Sequence, residues 1–163
     1  MLKVKISRTL ASGFGSGFAP VISGTFGTAA ALIPWAILRY YYPQPSLLID
    51  LLVIALVIIV GIAATEICLK HPIVAGNKRS NVEDPGYIVI DEWAGIFITL
   101  LMVPAKPLLY PFLGFVLFRL FDIIKPGPVR AAEKLPGGLG VMMDDVLAGI
   151  FAAVVLCAIR FFA

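Results

Sequence analysis

The chain has 163 residues, of which 60% are hydrophobic and 14% charged, with a mean hydropathy of +0.99 and a net charge of +3. An ordinary soluble domain is about 25% charged, and a core this small cannot bury so much apolar surface, so the composition excludes that class and predicts one integral membrane domain, residues 1–163. The basic residues are dispersed, which argues against nucleic acid as a partner and suits anionic lipid headgroups.

Met1–Ser12 starts like a signal peptide, with Lys3, Lys5 and Arg8, but Gly13, Gly15, Gly17 and Pro20 interrupt any apolar core. A cleaved signal is therefore not expected. The run Gly13-Phe14-Gly15-Ser16-Gly17 is followed by Ser23-Gly24-Thr25. Glycine lets a backbone approach an anion, and free N–H groups at a helix start bind phosphate, so Gly15, Ser16, Ser23 and Thr25 are candidate phosphate contacts. No Gly-Lys-Ser/Thr ends the run and no strand precedes it, so it is neither a P-loop nor a dinucleotide fingerprint. A flexible loop with Ser23 and Thr25 as ordinary N-caps is the competing reading.

Five apolar segments follow: Phe26–Tyr42, broken by Pro34, then Leu47–Thr65, Ile88–Val103, Leu108–Ile124 and Val146–Phe162. Each approaches the ~17–25 residues of a spanning helix. The expected fold is thus all-α, a small polytopic membrane bundle of about five hydrophobic helices. The links Pro43–Ser46 and Pro104–Pro107 read as tight outer hairpins. With the N-terminus inside, Lys3, Lys5, Arg8, Lys70, Lys78, Arg79, Lys125, Arg130 and Lys134 are cytoplasmic, against Arg39, Lys106 and Arg160 outside. Trp35, Trp93, Tyr40, Tyr41, Tyr42 and Tyr87 fall near the expected interfaces, as belt residues do. Cys68 and Cys157 lack metal-ligand spacing and read as apolar filler. His71, the only histidine, reads as a solvated loop residue, and Lys78, Arg79, Glu83 and Asp84 as a solvated loop face.

Asp91, Glu92, Asp122, Asp144 and Asp145 make up five of the ten acidic residues, and all sit where apolar segments meet the cytoplasmic interface. A flexible glycine run, Gly138 to Gly140, is read as delivering Asp144-Asp145 to the mouth of the last helix. Asp91, Gly95 and Thr99 share one helical face, as do Asp145, Ala148, Gly149, Ala152 and Ala153. Small residues allow close helix approach, so the third and fifth segments are expected to pack with their acids converging. Clustered carboxylates repel unless a divalent cation lies among them, and hard oxygen ligands suit Mg²⁺. Arg119 and Asp122 share a face three residues apart, with Lys125 beyond. Against this stands a bland alternative, in which each acidic pair is a helix cap and Arg119–Asp122 a structural i,i+3 pair.

These residues, together with Pro20, Gly24-Thr25, Ile90-Asp91-Glu92, Phe118-Arg119-x-x-Asp122, Lys125-Pro126 and Gly138-x-Gly140-x-Met142-x-Asp144-Asp145, resemble the phosphatidylglycerophosphatase A family from about residue 10 onward. The resemblance implies a Mg²⁺-dependent phosphatase of the bacterial inner membrane that converts phosphatidylglycerophosphate to phosphatidylglycerol. Carried over by position, it makes Asp91, Glu92, Asp122, Asp144 and Asp145 the metal group. Asp91, Asp144 and Asp145 would act in catalysis, and Arg119 and Lys125 would meet the phosphate. Some relatives carry a histidine ahead of the Asp-Glu pair; here that stretch, Asn81 to Gly86, has none. The attacking group is either water or an aspartate, Asp144 or Asp145.

Competing classes fare worse on the residues. A histidine-dependent lipid phosphatase needs several histidines, and a CDP-alcohol phosphotransferase needs an Asp-Gly-x-x-Ala-Arg run, which is missing. A small transporter or ion carrier using interfacial carboxylates is the alternative from another class, but it would place charge near the bilayer midplane. Small-residue helix faces would suit a homo-oligomer.

Overall fold

The computed structural model describes residues 1–75, 78–79 and 85–162. Among them the chain is helical except for a minimal antiparallel pair, β1 (Val74–Ala75) with β2 (Lys78–Arg79). Glu83 and Asp84, read above as part of a solvated face, and most of the Asn81–Gly86 stretch lie outside the described residues.

Helix α1 (Leu2–Ala11) buries Ser7 and Ala11 and packs on α3. A 3₁₀ turn (Ser16–Phe18) then leads to α2 (Ser23–Tyr41), which continues through Pro34. Helix α3 (Leu47–Lys70) and α7 (Gly137–Phe162) are each long and apolar enough to cross a membrane. Between them come α4 (Ile90–Thr99), α5 (Leu109–Ile124) and α6 (Gly127–Ala132). Two helices, rather than five, thus meet the length and hydropathy of a span among the described residues.

Helix α4 explains why. It has 10 residues, a rise of about 15 Å, half a hydrocarbon core. Every one of its residues is buried. It packs on α2, α3, α5 and α7, so it forms the core rather than a lipid-facing wall. Its neighbours carry the outward apolar stripes: Leu48, Leu52, Leu56 and Ile59 on α3, and Phe112, Val116, Leu120 and Ile123 on α5. Spacings of three and four place each set on one helix face.

Two expectations about the ends of this bundle change. Trp35 and Trp93 are buried, at 5% and 9% exposure, because α2 and α4 turn those positions inward; Tyr40, Tyr41 and Tyr42 alone of the expected belt are well exposed. The second outer link is no simple hairpin. The α4–α5 connection starts before Pro104, because α4 ends at Thr99, and it carries the Met102 N–H, which donates to Asp50 Oδ2 at 3.0 Å, and the Val103 carbonyl, which accepts from Arg39 Nε at 2.8 Å.

Candidate active site

Two helices in backbone contact, α4 and α7, carry the acids. A Cβ built on Gly149 would stand 2.5 Å from the Gly95 carbonyl oxygen, so α4 and α7 touch backbone to backbone. The Thr99 hydroxyl donates to the carbonyls of Gly95 (2.9 Å) and Gly149 (3.3 Å), sealing the same contact. Ala148 and Ala152 are fully buried against it. Asp91 lies one turn before Gly95 and Asp145 one turn before Gly149, so the crossing that the small residues permit brings their carboxylates side by side.

The outcome is a group of three. Ligand oxygens of Asp91, Glu92 and Asp145 all lie within 4.8 Å of one another. Asp91 Oδ1 accepts the Glu92 N–H and Asp144 Oδ1 the Asp145 N–H, both at 3.0 Å, which orients the first carboxylate of each pair. The other two sequence-picked acids are drawn off to cations. Arg119 Nη1 lies 2.6 Å from Asp122 Oδ2 and 3.8 Å from Glu92. Lys125 Nζ bridges Asp144 Oδ2 at 2.7 Å and Glu133 Oε1 at 3.1 Å. Burial disfavours the charge on Lys125, but hydrogen bonding and attraction to Asp144 and Glu133 outweigh it and hold the ammonium above the usual lysine range. Lys125 stands in the left-handed region, φ +47°, where α5 stops, and that turn aims it back at α7.

Five carboxylates therefore share two basic side chains in a buried site, and Glu92 Oε2 and Arg119 Nε have no hydrogen-bond partner among the described residues. A buried orphan acceptor beside two more carboxylates fits a hard divalent cation, and a buried orphan guanidinium nitrogen fits an anion.

Helix capping accounts for only part of the cluster: Asp91 and Glu92 do lie in the first turn of α4, where an acid suits the helix dipole, whereas Asp144 and Asp145 do not open a helix. Helix α7 starts at Gly137, so Asp144 and Asp145 lie about two turns inside it, beyond the reach of its N-terminal dipole. The glycine run is helical rather than flexible, because Gly138 packs against α3: a Cβ there would stand 2.6 Å from the Ile62 carbonyl.

The N-terminal candidates divide. The first turn of α2 presses on the site, since a Cβ on Gly24 would collide with Glu92 Oε1 and stand 3.1 Å from Arg119 Nη1. Ser23 and Thr25 flank that contact, and neither caps the helix, whose N-cap is Ile22 without a side-chain bond. The Gly13–Gly17 loop is wound on itself. The N–H groups of Gly13, Phe14, Gly15, Ser16 and Gly17 donate to Leu10, Thr9, Ser12, Gly13 and Ser12, and the Ser16 hydroxyl donates to the Gly13 carbonyl at 2.9 Å. Gly15 and Ser16 instead line an open groove of about 580 Å³ with Phe18, Phe26 and Ile33, and no acid lines it. His71 is exposed, and its carbonyl accepts from Arg8. Sequence reasoning missed Glu133: eight residues separate it from Lys125, with a helix between, and no local pattern marks such a pair.

Comparison with known proteins gives the family. The family model described as phosphatidylglycerophosphatase A matches residues 9–160. A Bacteroides thetaiotaomicron protein, named provisionally as a phosphatidylinositol-3-phosphatase, is 41% identical over 93% of this chain and 91% of its own. The phosphatidylglycerophosphatases A of Escherichia coli and Haemophilus influenzae are 36% and 41% identical, over 90% and 93% of this chain and 79% and 87% of theirs. No solved structure matches. The class defined by these matches is a helical phosphatase. Within it, the chain belongs to the phosphatidylglycerophosphatase A family.

Proposed function

We propose that the chain is a Mg²⁺-dependent phosphatase that cleaves the terminal phosphomonoester of phosphatidylglycerophosphate, releasing phosphatidylglycerol and phosphate. It works as a multi-pass protein of the bacterial cytoplasmic membrane with its site toward the cytoplasm. The carrying observation is the buried group Asp91, Glu92 and Asp145, whose ligand oxygens lie within 4.8 Å of one another. Family membership supports the substrate, and the outward apolar stripes of α3 and α5 support the membrane setting.

Asp91, Glu92 and Asp145 would hold the cation. Bound there, Mg²⁺ would neutralise phosphate oxygens and make a nearby water more acidic. Arg119 meets the phosphate with its orphan Nε, and Lys125 with its charge. Asp122 and Asp144 orient these two cations, and Ser23 and Thr25 line the approach from α2. Asp144, beside Lys125, takes the proton of the attacking water. The water oxygen forms the new bond to phosphorus, the ester P–O bond breaks, and the departing glycerol oxygen gains a proton from solvent. Water is preferred over an aspartate as nucleophile because Lys125 already pairs with Asp144, and Asp145 is one of the three acids assigned to the cation. A transporter finds less support: the buried pair Arg39 and Asp50, 2.6 Å apart, lies at the end of α2 and the start of α3 rather than near the middle of either helix.

A second substrate, phosphatidylinositol 3-phosphate, is raised by the name of the Bacteroides relative. Both lipids present a phosphomonoester and differ in the polyol. Phosphate release from each, assayed side by side in detergent, tests the proposal; a higher kcat/KM for phosphatidylglycerophosphate is expected, and the reverse order would reassign the substrate.

A further inference from the structure

Helix α7 carries Asp144 and Asp145, and its first turn is docked on the C-terminal end of α3. Glu66 Oε2 of α3 accepts the Gly138 N–H at 3.0 Å, taking up one of the donors that a helix start leaves open. Lys70, one turn along α3, pairs with Glu66 Oε1 at 3.0 Å and steadies the carboxylate. The backbones meet at the same place, for a Cβ on Gly138 would also stand 3.0 Å from the Glu66 nitrogen. One turn earlier on α3, a Cβ on Gly61 would stand 2.6 Å from Met142. The acceptor for this N–H comes from a different helix.

We propose that Glu66 is a positioning residue for the acidic site: its carboxylate fixes the axial and rotational setting of α7 on α3, and so places Asp145 beside Asp91 and Glu92. The inference rests on the metal-dependent reading above. From Gly138 to Asp145 is seven residues, about 10.5 Å along the axis. A rotation or slide of the first turn is carried undamped along so short a stretch of helix. Glu66 touches none of the three carboxylates, and its effect is transmitted by the rigid rod between.

The test is a Mn²⁺ titration, followed by electron paramagnetic resonance, of the full chain in detergent, with thermal melts alongside. Wild type, Glu66→Gln, Glu66→Ala and Asp145→Asn are compared. Asp145→Asn should abolish the tight site, which identifies it. Glu66→Ala should weaken Mn²⁺ about 10-fold, the lower end of what loss of a supporting partner does to a metal site. Glu66→Gln keeps an acceptor oxygen for Gly138 and should bind within about twofold of wild type. Turnover should follow the same order, with kcat falling and KM for lipid unchanged. Mn²⁺ affinity in Glu66→Ala equal to wild type would overturn the proposal, as would Glu66→Gln as weak as Glu66→Ala. The metal titration needs no substrate, so absence of phosphatase activity in wild type would defeat the substrate reading while this comparison still stands.

Discussion

Gly95 and Gly149 meet backbone to backbone, with room for no methyl group between them, since a Cβ on Gly149 would stand 2.5 Å from the Gly95 oxygen. Each glycine sits one turn below an acid of the site. The separation of α4 and α7 at this crossing therefore sets the separation of Asp91 from Asp145. Gly149→Ala should force the helices apart and destabilise the fold by about 1–3 kcal/mol, the usual range for overpacking. Phosphatase activity should fall more than folded fraction does, because the carboxylates separate too. Thermal melts and specific activity of the folded protein check this; wild-type activity per folded molecule would contradict it.

Arg39 and Asp50 form a separate anchor at the other end of the bundle. Both are nearly fully buried, 2.6 Å apart, and they also hold Val103 and Met102 of the α4–α5 link. Arg39 lies 15 residues beyond Gly24 on α2, about 22 Å from the acids. Asp50→Ala leaves a buried guanidinium unpaired and should cost about 3–5 kcal/mol. The folded remainder should keep its KM. Denaturant unfolding in mixed micelles measures the first effect and initial rates the second.

Arg119 is expected to act as a planar fork, which lysine cannot reproduce. Arg119→Lys should lower kcat about 100-fold, the scale of losing one preorganised donor to a developing oxyanion. Stability should change little, because lysine preserves a charge beside Asp122. A rate within twofold of wild type would remove Arg119 from the phosphate site.

The pairing of Lys125 has a defined sign. Its folded-state pKa lies above the unfolded value of about 10.4, so the pairing contributes fully below that pH and fades as pH rises toward the folded value. Glu133→Gln removes one of the two carboxylates and lowers the folded value, so the alkaline loss should begin at the same pH but end sooner and be smaller in total. Melts across the alkaline range detect the difference; a loss of unchanged size in Glu133→Gln would show that Asp144 alone holds the charge.

Much of the site could be read from spacing. The i, i+4 relation of Asp91 to Gly95 and of Asp145 to Gly149 encodes both the crossing and the convergence of acids, because helix periodicity alone fixes which residues share a face. Helix limits were less legible. The run Gly138 to Gly140 reads as flexible because glycine is a poor helix former, yet α3 approaches so closely that only glycine fits at 138. Trp35 and Trp93 were placed at the membrane interface by type, whereas their neighbours bury them. The Arg39–Asp50 pair spans a hairpin, and the Glu66–Gly138 bond joins residues 72 apart. Neither leaves a local pattern. The Gly13–Gly17 run has the composition of an anion loop, but its N–H groups are taken up by the carbonyls of Thr9, Leu10, Ser12 and Gly13.

The central claim is that Asp91, Glu92 and Asp145 form the metal site of a lipid phosphatase. Its most direct test is inorganic phosphate release from phosphatidylglycerophosphate by the purified full chain, with Mg²⁺, with a chelator, and with Asp145→Asn. The account predicts release that requires Mg²⁺, stops on chelation, returns when Mg²⁺ is restored, and falls at least about 100-fold in Asp145→Asn. Full activity in the chelator, or in folded Asp145→Asn, would contradict it.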